Sequence, residues 1–368
     1  MFYNLTSKPA SQQASKPASQ QASKPASKPA SKPASQQARQ LENCTFVRTA
    51  LMILIVFYHS CVFWTNEWFM AGKVIIPSQS LSLVSRWLNS FHVYCFTLIS
   101  GYIFYTLKFV HGRYQKYTTF VANKAKRLLV PYVFVSAIWV VPISVWLTGI
   151  EWPEILKSYI LGESPSQLWF LLMLFWVFVV IWPLSDYLNK HSNQGLIIMI
   201  GIYLLGRKLS GVVPNIWGFV TALQYEIYFY LGFLIAKRKI LINYKNTILW
   251  LFVSVVLWLT VKRIYLPNAL KELLVHATGA IAWFYMLQLI LQKSNFGRYG
   301  FLRVLANNSM TIYLFHQQLI YISIVCLNGK INPWMHTQVN FMFSLIMSLL
   351  ISVFLKKNKY IRFLLGEK

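Results

Sequence analysis

Residues 46–64, FVRTALMILIVFYHSCVFW, hold two side chains that could do chemistry together, Arg48 and His59, inside an otherwise apolar run. They stand eleven positions apart. At about 100° per residue that interval is about three whole turns, so both project from nearly the same helix face, roughly 16 Å apart along the axis. Ionisable residues within a membrane segment are costly and point by default to function. An arginine at an inner mouth suits phosphate or pyrophosphate. A neutral imidazole in a low-dielectric path suits proton transfer or nucleophilic attack. The plainer readings are a snorkelling anchor for Arg48 and a structural hydrogen bond for His59.

The composition predicts the solvent in which these residues work. The chain has 368 residues, 56% hydrophobic and only 12% charged, against about 25% charged in soluble domains. With 14 Trp, 21 Tyr and 26 Phe, this predicts an all-α, polytopic integral membrane protein with aromatic belts. The net charge of +26 is read as topogenic rather than as a nucleic-acid footprint, because the basic residues form short clusters between apolar runs. Cys44, Cys61, Cys95 and Cys326 show no CxxC spacing, and neither a disulfide framework nor a metal site is expected. The first long apolar run begins only near residue 46, so no signal-peptide layout is read.

About ten spans are predicted, at 46–64, 88–107, 128–148, 168–188, 195–206, 216–236, 247–261, 276–291, 304–326 and 338–355. The fifth and seventh are short for a bilayer. With the N-terminus inside, the inner segments hold 25 Lys and Arg and the outer segments 9, which predicts both termini in the cytoplasm. A basic cluster, Lys124, Lys126 and Arg127, precedes the third span and offers ligands for an anionic cofactor at the inner face. Pro131 is expected in the first turn of that span. Gly101 in the second span would permit a close helix approach. Glu226 lies within a span and Asp186 at the end of one; an ion pair is the plainer role for each. Glu226 could instead pair with an intramembrane His or Arg, or bind a sugar hydroxyl. His316, beside Gln317 and Gln318, could line the same cavity as His59. His92 and His276 are weaker candidates.

Residues 1–40 form a separate tail. Positions 7–38 read as eight tetrapeptides of two kinds, SKPA and SQQA, a polar tract expected to be disordered. Both tetrapeptides can be written with AGCA and AGCC units, which predicts a slippage-prone tetranucleotide tract that switches expression by frame. The next methionine after Met1 is Met52, past Arg48, so an internal restart would lose that residue.

Taken in order, these pieces resemble the acyltransferase family 3 proteins, bacterial membrane O-acyltransferases of surface glycans. The resemblance runs from about residue 41 to 360 and rests on Arg48 with His59, Ser100-Gly101-Tyr102, KRLLVPY at 126–132, LWFL at 168–171 and NNSMTIYLFH at 307–316. It implies a transmembrane domain over 41–368 in the bacterial inner membrane, acetyl-CoA as the cytoplasmic donor, and a sugar hydroxyl of a surface or lipid-linked glycan as acceptor. His59 would be the base or the acyl carrier. Arg48 would position the donor or stabilise charge on the transferring carbonyl. Lys124, Lys126 and Arg127 would hold CoA, and Glu226, His316, Tyr102 and Trp169 would be cavity candidates. The family often has an Asp three residues before the Arg; Thr45 stands there. A polysaccharide or lipid-linked sugar transporter or flippase, with Arg48, His59 and Glu226 as a proton or substrate relay, is the competing expectation.

Overall fold

A computed structural model gives the fold over residues 31–68, 72–162, 166–293 and 300–367. Every regular element among the described residues is helical. In chain order these are α1 (Ser31–Val62), α2 (Gln79–Asn89), α3 (His92–Tyr105), α4 (Tyr117–Val135), α5 (Val141–Thr148), α6 (Trp152–Ile160) and α7 (Trp169–Lys190). They continue as α8 (Ser192–Leu209), α9 (Phe219–Lys237), α10 (Tyr244–Thr260), α11 (Asn268–Lys293), α12 (Gly300–Leu327), α13 (Pro333–Leu355) and α14 (Lys359–Leu364). The repeat tract falls largely outside these residues. Its last part, 31–38, lies in α1, where alanine and glutamine are good helix formers.

Nine helical stretches among the described residues are long and apolar enough to cross a membrane. The predicted span 195–206 is not one of them; it lies in the 18-residue α8. The packing nevertheless gives α8 a full return pass. The start of α9 lies at the start of α7, with the Trp176 and Phe219 rings 5.3 Å apart. The end of α9 lies at the end of α7, where Lys237 donates to the Asn189 carbonyl. The two helices are therefore parallel, and α8 carries the chain back between them. Gly195 at its start meets Tyr230, and Gly206 near its end meets Leu223.

Helix α4 starts well before the predicted third span, so Pro131 is interior rather than in a first turn. Proline removes one helical donor, and a π-helical segment, Ser136–Val140, follows and re-spaces the chain before α5. A second π segment, Thr106–Val110, ends α3. Its Lys108 is buried, donates to Ser185 and pairs with Asp186 at 3.0 Å. Asp186 thus ties the end of α3 to α7.

The tightest contact joins α3 and α9. A Cβ on Gly101 would lie 1.8 Å from the Phe229 carbonyl oxygen, and one on Gly232 would lie 1.8 Å from that of Leu98. Each glycine thus admits the other helix's backbone, a small-residue contact suited to a bilayer, where no hydrophobic effect drives helices together. Gly101→Ala and Gly232→Ala are each expected to destabilise the protein by roughly 1–3 kcal/mol, read as a lower thermal midpoint in detergent, whereas Gly201→Ala, with open space around its Cβ position, should change little.

Candidate active site

Two cavities sit back to back in the bundle. The first, about 320 Å³, is lined by Arg48 from α1, Ser100 and Phe96 from α3, Lys124 and Arg127 from α4, and Phe178 from α7, among others. The second, about 260 Å³, is lined by Tyr58 and His59 from α1, His92 from α3, Gln167 and Trp169 at the head of α7, and Trp68. Ile55, Phe170 and Tyr313 line both and form the partition between them. Because α1 is continuous through Arg48 and His59, it presents one to each cavity, roughly 16 Å apart along its axis.

The Arg48 cavity is cationic. Arg48, Arg113, Lys124 and Arg127 contribute to its wall, and no Asp or Glu does among the described residues. None of the four has a carboxylate partner among them either. Arg48 lies over the Phe96 ring at 5.7 Å, and the Lys124 ammonium is 3.5 Å from the Phe178 ring centroid. Aromatic faces offer partial compensation to a cation, but they leave its hydrogen-bond donors for an incoming anion. Tyr114 also lines this cavity, in the left-handed region at φ 62°. Its carbonyl accepts a 2.9 Å bond from Trp182 Nε1, which anchors the loop that carries Arg113.

The other cavity is organised by two histidines. His316 Nδ1 lies 2.8 Å from the Tyr313 carbonyl oxygen and 3.2 Å from that of Ile312. A carbonyl only accepts, so in the neutral pair Nδ1 carries the hydrogen and His316 Nε2 holds a lone pair. His59 Nδ1 stands 2.8 Å from that nitrogen and must donate to it. The lone pair of His59 is thereby left on Nε2. The Trp68 ring stacks on His59 at 5.4 Å and 23°. Gln167 fixes the head of α7 to α12: Gln317 Oε1 accepts from its backbone N–H at 2.9 Å, and its own Nε2 donates to Leu314 O at 2.8 Å. The Tyr313 hydroxyl donates to the Gln167 carbonyl, holding the partition in place.

The structure brings His59, His316 and Trp169 to one site, and Arg48, Lys124 and Arg127 to the other. Three candidates are not brought in. Lys126 is exposed and off the cavity wall; at about 100° per residue it stands about 200° around α4 from Lys124, whereas Arg127 returns to nearly the same face. Tyr102 packs on Phe284 at 5.3 Å, on the α11 side; the same rotation separates it from Ser100, which does face the cavity. Glu226 is 0% exposed and lines neither cavity, and neither of its oxygens has a hydrogen-bond partner among the described residues. His92 lines the His59 cavity and bonds the Leu88 carbonyl, while His276 bonds the Ser90 carbonyl beside it. Arg113, Tyr114, Trp68 and Gln167 were not singled out by the sequence. They sit in connecting segments, whose destination no periodicity records, and only the basic HGRY run at 111–114 hinted at one of them.

The fold and site define a class: a multi-pass helical bundle in which a cationic cavity abuts a cavity holding a histidine pair. A family model described as an acyltransferase domain, that of acyltransferase family 3, matches residues 43–357. The chain belongs to that family and is a membrane acyltransferase. No curated protein and no solved structure matches it.

Glu226 supplies a check on which polar residues serve the cavities. A buried carboxyl without partners is costly, so Glu226→Met should raise the thermal midpoint, by roughly 1–3 kcal/mol of stability, and leave acyl transfer intact. A drop in both would show that the carboxyl has work to do in the site.

Proposed function

We propose that the chain is an O-acyltransferase that moves an acetyl group from acetyl-CoA, bound at the Arg48 end, to a sugar hydroxyl of a cell-surface or lipid-linked glycan at the His59 end. The observation that carries this reading is the pair of abutting cavities, one cationic and acid-free, the other holding a base of defined tautomer. The positive-inside bias of the sequence, 25 Lys and Arg in the predicted inner segments against 9 in the outer ones, supports a setting in which the Arg48 end and both termini face the cytoplasm of a bacterial inner membrane.

Acetyl-CoA is a polyanion with a long, narrow arm. Arg48, Arg113, Lys124 and Arg127 would hold its phosphates through charge-assisted hydrogen bonds. The arm would lie along Leu171, Leu174 and Phe178 toward the partition, bringing the thioester past Tyr313 and Phe170 to His59. Stabilising charge on the carbonyl requires donors within about 3 Å. Arg48 is too far along α1 for that, so its role is to position the donor.

His59 Nε2 takes the proton of the acceptor hydroxyl as the hydroxyl oxygen bonds to the thioester carbonyl carbon. The C–S bond then breaks, and the departing sulfur takes the proton from His59, which returns to its starting form. While His59 is protonated, its Nδ1–H bond to His316 is charge-assisted and strengthens. His316 is thus a positioning residue that keeps the lone pair on the nitrogen facing the reaction.

His59→Ala should lower transfer by about 10²–10⁴-fold with acetyl-CoA binding intact. Proton NMR of surface glycans from cells with the intact gene, a deletion and His59→Ala at matched membrane levels should show one O-acetyl signal absent from both defective strains. Unchanged spectra would refute the reading. His316→Phe should cost most of the same activity, and His316→Gln, which retains an acceptor, should recover part of it; equal loss in both would make His316 merely structural.

Arg48→Gln and Lys124→Gln should each raise KM for acetyl-CoA about ten-fold with smaller effects on kcat, and added salt should weaken donor binding in the parent chain more than in either variant.

A further inference from the structure

A third cavity, about 290 Å³, lies at the His59 end between the end of α2, the end of α10 and the start of α11. Its wall includes Arg86, Lys262 and Lys271, with Trp258, Asn89 and Asn268. It meets the His59 cavity at Asn89, which lines both. Its volume is at the lower end of small-molecule sites, about 300 Å³.

The charge at this place is unusual. The predicted outer segments hold 9 Lys and Arg against 25 in the predicted inner ones, as topogenic bias demands. Three of those nine converge on this one cavity. The acid in its wall, Glu272, is already held by Arg207 through two contacts, Nη1 to Oε2 at 2.9 Å and Nη2 to Oε1 at 3.1 Å. Arg86, Lys262 and Lys271 have no carboxylate partner among the described residues. The cavity therefore presents three uncompensated cations beside an indole and two side-chain amides. The wall is also braced. His276 donates from Nδ1 to the Ser90 carbonyl at 2.8 Å and stacks on Tyr94 at 3.9 Å, fixing α11 against the junction of α2 and α3.

We infer that this cavity binds an oxyanion of the saccharide acceptor, a phosphate or a carboxylate, against Arg86, Lys262 and Lys271, with a sugar ring beside Trp258. Cations fix the anion by charge-assisted bonds, and an indole face with nearby amides suits the mixed apolar and hydroxyl surface of a sugar. Asn89 is then the boundary across which the neighbouring sugar reaches His59. The inference rests on the acyl-transfer reading for the word acceptor, and it narrows that acceptor to anionic glycans.

The test uses the full chain in phosphatidylcholine nanodiscs, with CoA saturating the cationic cavity. Binding of glucose 1-phosphate, methyl glucuronide and methyl glucoside is measured by saturation-transfer NMR. At least one anionic sugar is expected to bind about ten-fold or more tighter than methyl glucoside, with the gap closing in salt. The triple variant R86Q/K262Q/K271Q should abolish the preference, its fold being checked by its affinity for acetyl-CoA. Whichever anionic probe binds tighter tells phosphate from carboxylate. Equal binding of all three sugars, or a preference that survives in the triple variant, would overturn the inference. So would loss of sugar binding when phosphatidylglycerol is added to the nanodisc, which would assign the cavity to a lipid headgroup. Acetyl-CoA affinity in the parent chain, measured without sugar, tests the donor reading separately: a chain that binds no acetyl-CoA but still prefers anionic sugars loses the acetyl-CoA donor reading and keeps this site.

Discussion

Backbone contact between α3 and α9 sets the geometry on which both cavities depend. Gly101 and Gly232 each receive a carbonyl of the opposite helix, and α3 can approach α9 this closely only with these two glycines turned toward it. With that rotation fixed, Phe96 and Ser100 face the Arg48 cavity, His92 faces the His59 cavity, and Tyr102 faces α11. Any other rotation would exchange these faces. Because helices in a bilayer gain little from apolar burial against one another, this short stretch of close packing carries more of the positional information than its length suggests.

Electrostatics divides the bundle lengthwise. Lys108 is met by Asp186 and Arg207 by Glu272. The cations that gather around the Arg48 cavity have no carboxylate partner among the described residues. With 9 acidic residues against 35 basic ones in the whole chain, an acid is a scarce partner, and the places left without one stand out. The histidine pair follows a different logic. It needs no counter-charge, only a carbonyl at one end to set the order of hydrogens along the chain of nitrogens.

Much of this was legible in the sequence because helix periodicity is local. The interval between Arg48 and His59 assigns them one face, and hydropathy marks the spans. Membership of the acyltransferase family was legible from residues lying on those same helices. What the sequence does not separate has the same root. Lys126 and Tyr102 are adjacent in sequence to residues that line the cavity, although one or two positions on a helix point elsewhere. Glu226 stands out in the sequence as an intramembrane acid, yet its burial away from both cavities is set by tertiary packing. The pairing of His59 with His316 spans 257 positions, and no local rule supplies a contact of that range. Arg113, Trp68 and Gln167 were hidden for a further reason: loops have no period to betray the direction of a side chain.

The partition of Ile55, Phe170 and Tyr313 has a consequence for the membrane itself. A bundle with a polar hollow at each end is one layer short of a pore, and a pore would dissipate the ion gradients a cell maintains. Three side chains, two of them aromatic and one hydroxyl tethered to the Gln167 carbonyl, make that layer. Such a barrier is expensive for a hydrated ion, which must shed water to enter it, and cheap for a small, uncharged acyl group. On the proposed reading, the bundle would pass a chemical group from one side toward the other while remaining an insulator.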